Sequence, residues 1–172
     1  MISQCVGKEG LRIMEWYHFS RKPIETVESA FLNPEKYPVR SSFKPRGIWL
    51  SDEQDKDICW STYAKQMEIY DGEVYTYRVK LNEASRLLYL DTTERVMWFH
   101  KHFSEYNSLC EERISLIKDD VYKRHWKGIV YSPYFPELGR DYFWYRVLDI
   151  PSACIWDASC IESFEFDEII DF

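Results

Sequence analysis

Polar and apolar positions alternate most regularly over residues 74–81, VYTYRVKL, where Val74, Thr76, Arg78 and Lys80 interleave with Tyr75, Tyr77, Val79 and Leu81; this period of two predicts a strand. Residues 12–20, RIMEWYHFS, are dense in strand formers and predict a second one, with His18 and Ser20 on one side and Phe19 on the other. Short apolar runs at 47–51 (GIWLS) and 86–90 (RLLYL) predict further strands, as do 128–134, 142–149, 153–159 and 162–166 towards the C-terminus.

Helical spacing occupies the intervals. Pro23 opens a segment in which Ile24, Val27 and Phe31 recur at helical spacing before Asn33-Pro34 ends it. Residues 55–70 predict a helix closed by the Asp71-Gly72 turn, and 92–103 predict one with a threonine cap ahead of Val96, Phe99 and Phe103. A further helix is expected over 108–124. Residues 32–46 carry three prolines and read as a surface loop, and 1–10 as a loose tail. Strands fall in two groups with helices between them and no sustained βαβ alternation, which predicts the α+β class.

The chain of 172 residues is long enough for one domain with one substantial core, so a single domain over 1–172 is expected. Aromatic residues make up 17%, enough that rings must fill much of the interior or line a cleft. A formal charge of -7 argues against a nucleic-acid partner, since binding to phosphates is driven by lysine and arginine; residues 36–46 form the most basic segment. Five scattered cysteines without a C-x-x-C pair read as reduced thiols, and no apolar run reaches membrane-spanning length. The first ten residues lack the pattern of a secretory signal, so a cytoplasmic protein without a membrane partner is expected.

Phosphate-loop, dinucleotide-fold, zinc-protease and hydrolase-elbow motifs are absent. His100 and His102 lie two apart on an expected helix and do not share a face, so no metal site is expected. What remains is an ordered set: H-x-S at His18 and Ser20, G-I-W-L-S with Trp49 and Ser51, Trp60 eleven positions after Trp49, and Asp149 among the C-terminal strands. Taken singly, His18 reads as a core histidine and Trp49 as core packing.

In this order and spacing the chain resembles the ADP-ribosyltransferase superfamily, in the branch whose motifs are histidine, aromatic and acid. It is similar to small phage and bacterial mono-ADP-ribosyltransferases and to the catalytic core of poly(ADP-ribose) polymerases. The resemblance implies a split β-sandwich of two short sheets with flanking helices, and NAD as substrate. It implies that His18 bonds a ribose hydroxyl, that Phe19 offers its backbone to the nicotinamide amide, and that Ser20 braces the site. It further implies that Trp49 and Ser51 form the pocket wall, that Trp60 stacks on nicotinamide, and that Asp149 is the catalytic acid. An indole is the best aromatic platform for the cationic ring, and a carboxylate suits the oxocarbenium-like charge that builds as the glycosidic bond opens.

The family more often carries glutamate where Asp149 stands, and Val147 replaces the first glutamate of the arginine-modifying toxins. The implied activity is thus transfer of a single ADP-ribose to a macromolecular acceptor, a protein. The alternative is a catalytically inactive module of the same fold that binds NAD, ADP-ribose or a partner protein.

Overall fold

In the computed structural model, which describes residues 15–32, 44–82, 84–106, 115–117 and 122–172, the alternating segments form one mixed sheet. Its strands are β1 (Trp16–Ser20), β2 (Ile48–Asp52), β3 (Glu73–Leu81), β4 (Leu87–Tyr89), β7 (Gly128–Tyr131), β8 (Ser152–Ile155) and β9 (Ile161–Asp171). Their order is β4-β7-β8-β2-β1-β3-β9, with only the β4–β7 pair parallel. A separate pair joins β5 (Ser104–Tyr106) to β6 (Ser115–Ile117). The helices are α1 (Val27–Leu32), α2 (Trp60–Gln66), α3 (Thr93–Phe103) and α4 (Phe143–Arg146). The class is therefore α+β, in one seven-stranded open sheet where two short sheets were expected. No described helix is long and apolar enough to cross a membrane.

Strands β2, β8 and β7 lie side by side and are buried on both faces. Period two divides them: Ile48, Leu50, Ala153, Ile155 and Val130 enter one core cluster, while Trp49, Cys154, Ile129 and Tyr131 pack in another. That double burial is why GIVY and SACI read as continuous apolar runs rather than alternating ones. Gly47 precedes β2 because a Cβ there would lie 2.3 Å from the Ile155 carbonyl oxygen.

A weak link sits at the centre of the sheet. Strand β1 pairs with β3 along its whole length, from Trp16↔Val79 to Ser20↔Tyr75, but its register with β2 covers only Trp16↔Asp52 and Tyr17↔Ser51. Beyond Tyr17 the two strands part, opening a seam beside His18 and Phe19. Among the described residues this short ladder is the only strand pairing between the two halves of the sheet.

Several expected elements changed type. Residues 142–149 were expected as a strand; instead Phe143–Arg146 form the helical turn α4. Trp144 and Tyr145 are both fully buried neighbours, which a helical turn can point into one continuous core but a strand would send to opposite faces. The expected strand over 153–159 ends at Ile155 and passes into a 3-10 turn over Ala158–Cys160, held by the Asp157 carboxylate accepting from Ser159 N–H. Within the expected helix at 108–124, Ser115–Ile117 are a strand, and most of the rest lies outside the described residues. The expected tail at 1–10 and most of the loop at 32–46 also lie outside them.

Candidate functional site

The N-terminus of α2 is held without a side-chain cap from Cys59. Its donors are met from β2 and the residue that follows it: Trp60 N–H donates to Ser51 Oγ (3.0 Å) and Ser61 N–H to Glu53 Oε1 (3.3 Å). Ser51 Oγ in turn donates to Glu53 Oε1 (2.7 Å), and the Ser61 hydroxyl donates to Glu53 Oε2 (2.5 Å). Glu53 is 6% exposed, so this carboxylate is a buried anchor placed at the positive end of a helix, where negative charge is favoured. Its consequence is positional: the indole of Trp60 is fixed over β1.

That indole packs in a cluster with Phe19, Tyr70 and Val74, and its Nε1–H donates to the Tyr70 hydroxyl (3.3 Å). Tyr63, one helical turn on, lies 5.8 Å away ring to ring. On β2, Trp49 stacks nearly parallel on Tyr131 with centroids 6.3 Å apart, and its Nε1–H donates to the Pro45 carbonyl. The Lys44 ammonium stands 5.6 Å from the centre of the Trp49 ring. Trp49, Ser51 and Trp60 thus share one face of the sheet with the side chain of Phe19.

His18 points to the other face, as the period-two reading requires. Its ring lies 6.0 Å from Phe164 and 6.4 Å from Tyr77. It nevertheless reaches the seam, where Nδ1–H donates to the Trp49 carbonyl at 2.9 Å. The imidazole therefore meets a backbone group at the point where the β1–β2 ladder stops. Ser20 is buried at the end of β1, and its hydroxyl accepts from Lys22 N–H in a local turn.

Asp149 is exposed in the loop between α4 and β8. It is the middle residue of a three-residue turn closed by Ile150 N–H donating to the Leu148 carbonyl (2.8 Å), with φ of 65°. A non-glycine residue in that region is held there at a cost that surrounding structure must offset, a pattern that clusters at functional sites.

The titratable groups around Asp149 report its charge. Burial and then the Asp149 carboxylate push the Tyr63 phenol up. Tyr134 is pushed up to about 12, again first by burial and then by Asp149. Burial lowers the Lys44 ammonium, and Asp149 and Cys154 partly offset that. Asp149, Tyr63, Tyr134 and Lys44 accordingly form one electrostatic neighbourhood.

His18 meets the Trp49 carbonyl across the seam, the Trp49 ring faces the Lys44 ammonium, Tyr63 meets Trp60, and Trp60 hangs from Ser51 on the same strand as Trp49, while Asp149 is tied to Lys44 and Tyr63 by charge alone. Of the seven expected residues, Phe19, Trp49, Ser51 and Trp60 share one face of the sheet, His18 and Ser20 lie on the other, and Asp149 stands in the loop between α4 and β8. Sequence reasoning missed Glu53, Lys44 and Tyr63. Tyr63 had a usable signal, three positions after Trp60 on an expected helix. Lys44 lay in the most basic segment, whereas nothing local singles out Glu53.

Among the described residues no group of histidine, cysteine or carboxylate side chains is arranged to hold a metal ion. Compared with known proteins, the chain matches no family model, no curated protein and no solved structure.

Proposed function

We propose that the protein is a mono-ADP-ribosyltransferase that passes ADP-ribose from NAD to a macromolecular acceptor, a protein, with release of nicotinamide. The observation that carries this reading is the seam between β1 and β2, where the His18 imidazole meets the Trp49 carbonyl from one face and the Trp49 and Trp60 indoles stand on the other, with the exposed Asp149 carboxylate within electrostatic range of Lys44 and Tyr63. An interrupted ladder leaves backbone groups of β1 next to a stacking ring, and the nicotinamide amide needs one donor and one acceptor in a plane. Trp60 suits the cationic pyridinium ring as a platform. His18 suits a ribose hydroxyl.

In the step itself the bond between ribose C1′ and the nicotinamide nitrogen breaks, and nicotinamide leaves neutral with the bonding pair. A bond forms from the acceptor nucleophile to C1′, and the nucleophile's proton passes to a base. Asp149 is assigned to stabilise the cationic ribose as charge develops, and then to take that proton. The Tyr63 phenol lies within electrostatic range of that carboxylate.

The inactive reading, a module that binds NAD or ADP-ribose without turnover, draws on one feature: Lys44 already offsets part of the Asp149 charge. The experiment combines three readouts on the purified chain. Millimolar NAD at about 100 times Kd should raise Tm by about 5–10 °C, as about 2.7 kcal/mol of linkage does for a domain of this size. Labelled NAD with lysate should label an acceptor and release nicotinamide, and Asp149→Ala should abolish both. A Tm rise without nicotinamide release favours the binding module, and no Tm rise overturns both readings.

A further inference from the structure

We propose that the free edge of β9 is a docking site for an extended, cationic segment of another protein, added to the sheet as an eighth strand. Strand β9 ends the sheet order and is eleven residues long, an unusual length for an edge. It pairs with β3 on one side, and among the described residues no strand covers the other. About half of its backbone N–H and C=O groups therefore point outward, a template for strand addition.

Side chains on the edge select the occupant. Phe166 and Ile169 are 56% and 45% exposed, so apolar surface is already at the rim. Between them the register with β3 slips, and Thr76 fills the slip by accepting from Glu168 N–H (3.2 Å) and donating to the Glu168 carbonyl (3.0 Å). That pinned bulge, with a second register shift between Ser163 and Ile161, leaves Ser163–Phe166 as a regular run of about 13 Å, enough for a short strand.

Every charged residue on β9 is acidic: Glu162, Glu165, Asp167, Glu168 and Asp171. Lys80 pairs with Glu162 and Arg78 with Asp167, each at 2.6 Å, while Glu165, Glu168 and Asp171 make no ion pair among the described residues. Antiparallel self-pairing about Phe166, the middle of the strand, would set Glu165 against Asp167 on either side of it. Like charges directly opposite are destabilising, so a second copy of this chain is repelled. A strand alternating lysine or arginine with apolar residues satisfies both sides, its cations meeting Glu165 and its apolar residues meeting Phe164 and Phe166. This inference does not rest on NAD chemistry.

The test uses a capped, fluorescent ten-residue peptide of alternating lysine and valine, with fluorescence anisotropy on the full chain. Saturable binding is expected, and none to the glutamate–valine counterpart. N-methylation of every second peptide residue should weaken binding by roughly tenfold or more, because it removes ladder donors. Glu165→Lys/Glu168→Lys should do the same by creating like-charge pairs, and Glu165→Gln/Glu168→Gln, which keeps the shape, should weaken it in the same direction should the lysine variant fail to fold. Equal affinity for the methylated peptide, equal affinity in the charge variants, absence of saturable binding, or self-association of the wild-type chain through β9 would each overturn the proposal.

Discussion

Removing Glu53 tests whether the platform for Trp60 is built from β2. In Glu53→Ala the Ser51 hydroxyl, the Ser61 hydroxyl and Ser61 N–H all lose their acceptor at a site that is 6% exposed. Losing a helix cap costs about 1 kcal/mol, and stranding buried partners of a charged hydrogen bond costs about 1.5–3 kcal/mol. The two overlap, so about 3 kcal/mol is a fair sum. For a domain of this size that lowers Tm by about 6–12 °C, readable by calorimetry. Glu53→Gln keeps one acceptor oxygen and should lose less than half as much. Trp60 should also loosen, seen as a red shift and quenching of its emission in a variant retaining only that tryptophan. A Glu53→Ala protein melting within about 2 °C of the parent would mean that water serves the α2 N-terminus as well as the carboxylate does, and the account of how Trp60 is placed would fail.

Four further outcomes follow from the geometry. Gly47→Ala drives a Cβ to 2.3 Å from the Ile155 carbonyl oxygen and should cost on the order of 3 kcal/mol or more, measured as a lowered urea midpoint or loss of soluble protein. Burial holds the His100 imidazole below its ordinary value while Trp144 Nε1–H donates to its Nδ1 (3.1 Å). Protons therefore favour the unfolded chain, and His100's contribution is complete above the unfolded value of 6.5 and fades as pH falls below it towards the folded one. Urea midpoints at about pH 7.5 and about pH 5.5 should converge in His100→Gln relative to the parent. Asp149→Gly relieves a left-handed residue costing about 1–2 kcal/mol, so it should leave Tm unchanged or raised while abolishing nicotinamide release. In Asp149→Asn, Tyr63 and Tyr134 should both ionise at lower pH, followed by ultraviolet titration.

Local pattern determined a good part of this protein. The alternation at 74–81 became β3, the threonine-led stripe became α3 with Thr92 as its cap, and the parity of His18, Phe19 and Ser20 placed them on the faces they occupy. Such signals are legible because strand and helix periods are set by the nearest few residues. Segment 142–149 defeated them: its β-formers carry strand propensity, but packing Trp144 and Tyr145 into one core outweighed that weak preference.

Only the tertiary structure decided the seam, the anchor and the neighbourhood of Asp149. His18 and Trp49 meet across 31 positions, and Glu53 serves Ser61 across eight. Tyr63 and Lys44 sense the Asp149 charge from a distant part of the chain. Nothing in residue spacing encodes where a ladder stops or which carboxylate is buried beneath a helix. Those follow from how seven strands order themselves to bury both faces of β2, β7 and β8, a balance struck over the whole core at once.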